Sequence, residues 1–394
     1  MCDLPATASC ADPGEATVAK RRGPSRRGVV GALAAAVTAG GLPGLTATAT
    51  ASTASTAASR TSTTSGSEPL SLTLLGTLGG PPPLAARFGI SSALVINGRT
   101  YVVDCGRGAV SQYMRAGLSM PALAGIFLTH LHADHTADYF NFPLLSAGVE
   151  GKQGFQSTVD VYGPGPSGLT SRVADAAGAT PGIAELTRLA SRASAASTTF
   201  FLAEHLGIDP VTLLDVHEVM PPDSAGASSA HTAPTGMAPF TVMENDDVKV
   251  SAILVPHGAV YPAYAYRFDT EYGSVVFSGD TGPTPNIPRL AKDADILVHE
   301  TADMAVLPEL GYPTAAIDHI RAVHTDVTLL GGIAAEAGVR TLVASHLTPG
   351  DPTVLSDAQW RKSLRASARE ADFRGAMILG EDLMRVPIPS ARRS

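Results

Sequence analysis

Residues 129–135 read Thr-His-Leu-His-Ala-Asp-His, which places three of the chain's eleven histidines and one carboxylate within six consecutive positions. Neutral imidazole nitrogen and carboxylate oxygen are ligands that zinc favours. The apolar run 124–128 comes directly before them, so the group belongs on a short loop held by the edge of a sheet. In an extended loop, side chains two residues apart point the same way, and His130 and His132 can therefore grip one ion. Asp134 and His135 fall on the next turn, within reach of a second ion. A two-metal centre keeps its ions roughly 3.5–4 Å apart and clamps ester oxygens between them. A polar loop with surface histidines would account for one of these residues, or two, but not for three beside an aspartate.

Such a centre needs further ligands, and four more segments supply them in one repeated format. Residues 248–255 are strand-like and lead to Pro256-His257. Residues 273–277 lead to Ser278-Gly279-Asp280, residues 294–298 to His299-Glu300-Thr301, and residues 339–344 to Ser345-His346. With the first motif, five β-rich runs each stop at a His or an Asp. Their lengths and β-branched content favour strands over buried helix. Strand ends that converge on one sheet edge would carry a metal site on rigid supports.

The H-x-H-x-D-H pattern with these distant partners resembles the metallo-β-lactamase-fold hydrolases. Within them the chain is similar to the branch that holds the tRNA 3′-processing endonucleases (the ribonuclease Z group) and the arylsulfatase-like secreted hydrolases. The resemblance implies an α/β fold: an αββα sandwich, two mixed β-sheets flanked by helices. It implies two zinc ions, or another divalent ion such as Mn2+. His130, His132 and His257 would hold the first ion, Asp134, His135 and His346 the second, and Asp280 would bridge both. Residues 263–268, Ala-Tyr-Ala-Tyr-Arg-Phe, are similar to the G-Y-R strand that follows the corresponding histidine in that branch. His299-Glu300-Thr301 resembles the H-E-A-T motif, whose histidine assists departure of the leaving group. The implied roles are His299, oriented by Glu300, to stabilise the developing charge or protonate the leaving oxygen, and Asp134 to hold the attacking water and accept its proton. Beta-lactamases proper lack that element, which argues against antibiotic hydrolysis.

Two upstream segments fit the same branch. Residues 74–82 resemble its opening strand and Gly-rich turn, and residues 102–108 its D-x-G-x-G motif. The latter implies that Asp104 orients a ligand histidine, since such carboxylates fix tautomer and ring direction. His324-Thr325-Asp326 is similar to the branch's H-S-T and gives His324 a supporting place. The resemblance covers about residues 70–388, and residues 79–83 and 104–110 look closest to the arylsulfatase-like members.

Ser25-Arg26-Arg27-Gly28-Val29-Val30 is a twin-arginine pattern, followed by an Ala-rich apolar stretch and small-residue cleavage sites near residues 47–51. Residues 1–51 therefore read as a Tat signal segment, with the Tat translocation machinery as a partner during export. The expected location is extracellular or in the cell-envelope space. Residues 52–68, almost wholly Ser, Thr, Ala and Gly, read as a flexible linker. Residues 69–390 remain for one hydrolase domain, with a lid or insert at about 151–247. Cys2 and Cys10 fall in the signal segment, so Cys105 alone remains, expected as a small buried residue rather than a ligand.

Without residues 1–51 the chain keeps 33 acids against 23 bases, and residues 150–250 hold only Lys152, Arg172, Arg188, Arg192 and Lys249. A tRNA substrate demands phosphate neutralisation by clustered bases, so the charge argues against nucleic acid as a partner. Residues 163–168 match G-x-G-x-x-G, but Pro164 and Pro166 remove the backbone donors a pyrophosphate needs. Residues 182–192 and 197–207 are helix candidates, with Phe200 and Phe201 expected to pack a lid, and residues 220–239 read as a mobile loop. His205 and His217 are expected as structural, His231 as solvated, and a helix is expected over 327–337. The function expected from these readings is an exported dinuclear zinc hydrolase of small sulfate or phosphate esters. A ribonuclease Z-like tRNA endonuclease and a lactonase are the alternatives, and a homodimer is an open assembly.

Overall fold

The structure, a computed structural model, describes residues 68–147, 154–173 and 178–389. The signal segment and all of the linker but Glu68 lie outside the described residues. Strands β1 (Leu70–Gly76), β2 (Ser91–Ile96), β3 (Arg99–Val103), β4 (Leu123–Phe127), β5 (Val159–Pro164) and β6 (Leu214–Val219) hydrogen-bond in chain order. A second sheet follows in the same manner. It runs through β7 (Phe240–Glu244), β8 (Lys249–Leu254), β9 (Tyr264–Thr270), β10 (Gly273–Phe277), β11 (Ile296–Ala302), β12 (Thr341–Thr348) and β13 (Ala376–Leu379). The two-residue β14 (Arg385–Val386) returns to pair antiparallel with β1. Both sheets are mixed: β1 to β3 and β7 to β10 are antiparallel, β3 to β6 and β10 to β13 parallel.

Side chains alternate along a strand, so Tyr101, Val103 and Phe127 enter the space between the sheets while Val102 and Ile126 face outward. Between the sheets Phe127 meets Phe268 edge-on at 5.0 Å, meets Tyr266 at 5.5 Å and stacks on Tyr162 at 4.8 Å. The helices are α1 (Ala109–Arg115), α2 (Ala133–Thr136), α3 (Asn141–Ser146), α4 (Ile183–Ala193), α5 (Ala195–Ala203), α6 (Asn286–Leu290), α7 (Thr314–Val323), α8 (Leu330–Ala337) and α9 (Asp357–Glu370). Tyr113 of α1, Phe142 of α3 and Ile183 of α4 cover the outer face of the first sheet. Leu290 of α6, Leu330 of α8 and Trp360 of α9 join the core on the second sheet. The result is the expected αββα sandwich.

The span 151–247 differs from a simple lid. Val159 and Val161 alternate into the outer core, so this span supplies β5, β6 and β7 to the sheet edges. Helix α4 matches the expected 182–192 closely, whereas α5 buries none of its residues. Phe200 is 72% exposed and Phe201 44%, so neither packs as expected. The apolar residues 200–202 are consecutive, and a helix can lay down only a stripe spaced three or four apart. The loop 220–239 sends Met237 into the inter-sheet core. His205, His231 and His319 are exposed, and His217 stacks on Tyr162 at 4.7 Å. The helix expected over 327–337 begins as a 3-10 turn at Val327–Leu329 and continues as α8.

Candidate metal centre

Three of the five motifs begin just beyond a strand end: β4 stops before His130, β8 before His257 and β10 before Asp280. His299 and His346 instead lie inside β11 and β12. The pairing of β11 with β12 slips where Glu300 faces Ser345 and Thr301 faces Leu347, which leaves His346 as the extra residue. His346 takes the left-handed conformation with φ 45°. A bulge of this kind re-aims one side chain, here towards the cluster. Gly279 serves Asp280 in a related way. It has φ +58°, and a Cβ there would lie 2.5 Å from the Tyr264 carbonyl oxygen, so only glycine allows this approach.

Two groups of donor atoms result, each with its atoms within 4.8 Å of one another: His130, His132 and His257, and Asp134, His135, Asp280 and His346. Asp280 stands between them. Its Oδ1 is 3.3 Å from His135 Nε2, and its Oδ2 is 3.3 Å from His346 Nε2, 3.8 Å from His257 Nε2 and 3.9 Å from His130 Nε2. Asp134 Oδ2 lies 3.4 Å from His346 Nε2 and 3.7 Å from His135 Nε2. All seven expected ligand residues thus converge.

The donors fit cations better than they fit one another. His257 Nδ1–H donates to the Val323 carbonyl at 3.0 Å, so Nε2 carries a lone pair, yet it lies 3.2 Å from His132 Nδ1. His130 Nε2, His135 Nε2 and Asp280 Oδ1 are buried without a hydrogen-bond partner, a costly state that a bound ion would relieve. Burial holds His130 well below the usual imidazole range, lowers His132, and brings His257 down to about 4. These three are therefore neutral donors at neutral pH. Burial would raise Asp134, but the His346 contact and the charge of His135 bring it down to about 2. Burial also opposes charge on His135, but Asp280 and Asp104 lift it well above the usual range, as befits a position where carboxylates favour positive charge.

Asp104 sits at φ 59° directly after β3. Its Oδ1 accepts from the Thr129 N–H at 2.8 Å, and its Oδ2 lies 2.9 Å from His135 Nδ1. The carboxylate fixes both the loop and the ring, leaving His135 Nε2 for the cluster. Loss of such a partner typically costs 10–100-fold in metal affinity. Asp104→Asn is expected to weaken retention of about one ion by roughly that factor, read by chelator competition. An unchanged affinity would remove Asp104 from the site. Cys105, beside it, is buried and free and belongs to neither donor group.

The H-E-T segment is arranged differently from expectation. Neighbouring residues on a strand face opposite ways, and it is Glu300 that faces the cluster. Its Oε1 accepts from the Thr325 N–H at 2.7 Å and its Oε2 lies 3.1 Å from His324 Nδ1. The His324 ring is 5.3 Å from His257 and 5.6 Å from His346. Burial would lower His324, but Glu300 lifts it to about 9. His299 is wholly buried, donates from Nδ1 to the Glu300 carbonyl at 2.6 Å and joins neither donor group. The expected placement of His299 at the site is therefore corrected: His299 lies outside both donor groups, and Glu300 holds His324 beside His257 and His346 instead. The H-S-T likeness was the available signal.

Comparison with known proteins gives three findings. A family model described as the metallo-beta-lactamase superfamily matches residues 86–147. Ribonuclease Z of Mycobacterium sp. (strain KMS) is 31% identical over 323 residues, covering 81% of this chain and 96% of that protein. Two crystal structures share the fold: YhfI from Bacillus subtilis (TM-score 0.52, 19% identity, 81% of this chain and 100% of that one) and the short form of human tRNase Z (TM-score 0.51, 19% identity, 81% and 99%). The ribonuclease relatives run against the expectation, drawn from charge, that nucleic acid is not a partner.

Proposed function

The chain belongs to the ribonuclease Z family of the metallo-β-lactamase superfamily and is a metal-dependent hydrolase of ester bonds; from that premise we propose a dinuclear phosphodiesterase that acts on RNA. The observation that carries this reading is the convergence of six donor residues about Asp280 in a chain that is similar to a ribonuclease Z over 96% of that protein's length. His130, His132 and His257 would hold one zinc or other divalent ion, Asp134, His135 and His346 the other, with Asp280 shared. When bound, such ions polarise the ester and lower the pKa of water towards neutrality. Asp134 would hold the attacking water and take its proton. With His324 Nδ1 tied to Glu300, Nε2 is the nitrogen left to protonate the departing oxygen.

The test is a substrate panel on the zinc-loaded protein: a tRNA precursor with a 3′ trailer, bis(p-nitrophenyl) phosphate and p-nitrophenyl sulfate. Cleavage at the trailer junction supports the reading. Hydrolysis of the sulfate alone overturns it.

A second reading, an exported hydrolase of small sulfate or phosphate esters, is favoured by charge. Among the few bases of residues 150–250, Arg188 is paired with Glu185, and Lys249 with Glu244 at 3.2 Å. For localisation, the proposal is that residues 1–51 direct Tat export, that residues 52–68 form the linker, and that residues 69–390 are the hydrolase domain. Replacing Arg26 and Arg27 with lysine is then expected to leave folded, active precursor inside the cell, measured by fractionation. Normal export of that variant would refute the twin-arginine reading. An exported enzyme meets RNA and ester fragments outside the cell, so the panel and the fractionation together separate the two readings.

A further inference from the structure

The cluster opens on two small cavities of unlike character. One, of about 220 Å3, begins at His132 and is walled by Leu131, Pro164, Leu169, Pro181 and Pro262. No Lys, Arg, Asp or Glu side chain lines it. Two of its three hydroxyls already serve backbone: the Leu169 N–H donates to Ser167 Oγ at 3.1 Å, and the Thr180 hydroxyl donates to the Leu169 carbonyl at 3.0 Å; the third belongs to the Tyr261 ring, itself a flat wall of the cavity. The other cavity, of about 170 Å3, begins at Asp134 and carries Arg107.

We propose that the cavity beside His132 is a subsite for one flat, uncharged aromatic group of the substrate, a nucleobase or a simple aryl ring. The inference rests on the phosphodiester reading and deepens it. Sites for whole ligands run to roughly 300–1,000 Å3, so about 220 Å3 takes one group of a substrate rather than all of it. An anionic group entering these walls would lose its water and meet no counter-charge. The three proline rings present rigid apolar faces and lose no side-chain rotamer freedom when a flat group lies against them. His132 is shared between the cavity and the cluster, so a group seated there stays joined to a phosphorus held at the cluster. A diester carries two substituents, and the two cavities meet them with different chemistry: apolar on the His132 side, charged, with Asp134 and Arg107 together, on the other.

The test is equilibrium binding of methyl phosphate, phenyl phosphate and adenosine 5′-monophosphate to the zinc-loaded full chain, with bis(p-nitrophenyl) phosphate turnover followed in parallel. An apolar pocket contact discriminates by about 10–200-fold, so phenyl phosphate is expected to bind at least about tenfold more tightly than methyl phosphate. Leu169→Asp places a charge in the cavity and Ala259→Trp fills its mouth; both positions are exposed, and metal content checks the fold of each. Both variants are expected to bring the phenyl-to-methyl ratio down to about one. Nucleotide binding tighter than phenyl, and lost in both variants, assigns the subsite to a nucleobase; the reverse order assigns it to a simple aryl group. Equal binding of methyl and phenyl phosphate, or a ratio that survives both variants, overturns the proposal. Selective phenyl binding by a protein that hydrolyses no phosphodiester leaves the subsite standing and overturns the phosphodiesterase reading.

Discussion

Replacing Asp280 with alanine is expected to strip the metal and abolish turnover together. Its two oxygens face four imidazoles, those of His130, His135, His257 and His346, at 3.3 to 3.9 Å. Among the described residues no other carboxylate groups with donors of both sets, because Asp134 belongs to the second alone. Without Asp280 each group loses its shared anion, and the remaining charge cannot hold two divalent ions close together. The wild-type chain is expected to hold about two zinc ions by elemental analysis, and Asp280→Ala fewer than one. Turnover is expected to fall by more than about 10³-fold, beyond what loss of a single electrostatic contact gives. Retention of both ions by this variant would sink the shared-carboxylate reading, whatever happened to activity.

The ligands were legible because each is a chemically rare residue at a marked place. The H-x-H-x-D-H run stands out by density alone, and His257 and Asp280 follow β-branched runs that the structure builds as β8 and β10. The two sheets were implied by the family resemblance that these motifs carry. What escaped was side-chain direction inside a strand. Periodicity ended β11 and β12 at residues 298 and 344, whereas both continue, to Ala302 and Thr348. Once His299 and Glu300 lie within a strand, alternation lets only one of them face the cluster. The slip beside His346 is also hidden from the sequence, since a non-glycine residue at φ 45° carries no compositional mark. Helix α5 was legible as a helix but not in its packing, because three consecutive apolar residues do not say which face is buried.

That distinction between His299 and His324 yields the most discriminating experiment. A positioned acid contributes roughly 10²–10⁴-fold to rate, so His324→Ala is expected to lose about that much turnover while keeping its metal. The loss should shrink for a p-nitrophenolate leaving group, whose oxygen is acidic enough to depart with little help. Glu300→Gln keeps a hydrogen-bonding group against the Thr325 N–H but removes the charge that favours protonated His324. It is therefore expected to lower the upper limb of the pH–rate profile more than it lowers metal content. His299→Ala is the control from the same motif. Its side chain is buried and bonded to the Glu300 carbonyl, so its removal is expected to cost stability, about 1–3 kcal/mol, with turnover per folded molecule within about tenfold of wild type. The reverse pattern, a large rate loss at His299 and none at His324, would return the acid role to His299. Loss of metal from His324→Ala would instead make His324 a ligand, drawing on the smaller cluster it forms with His257 and Asp280.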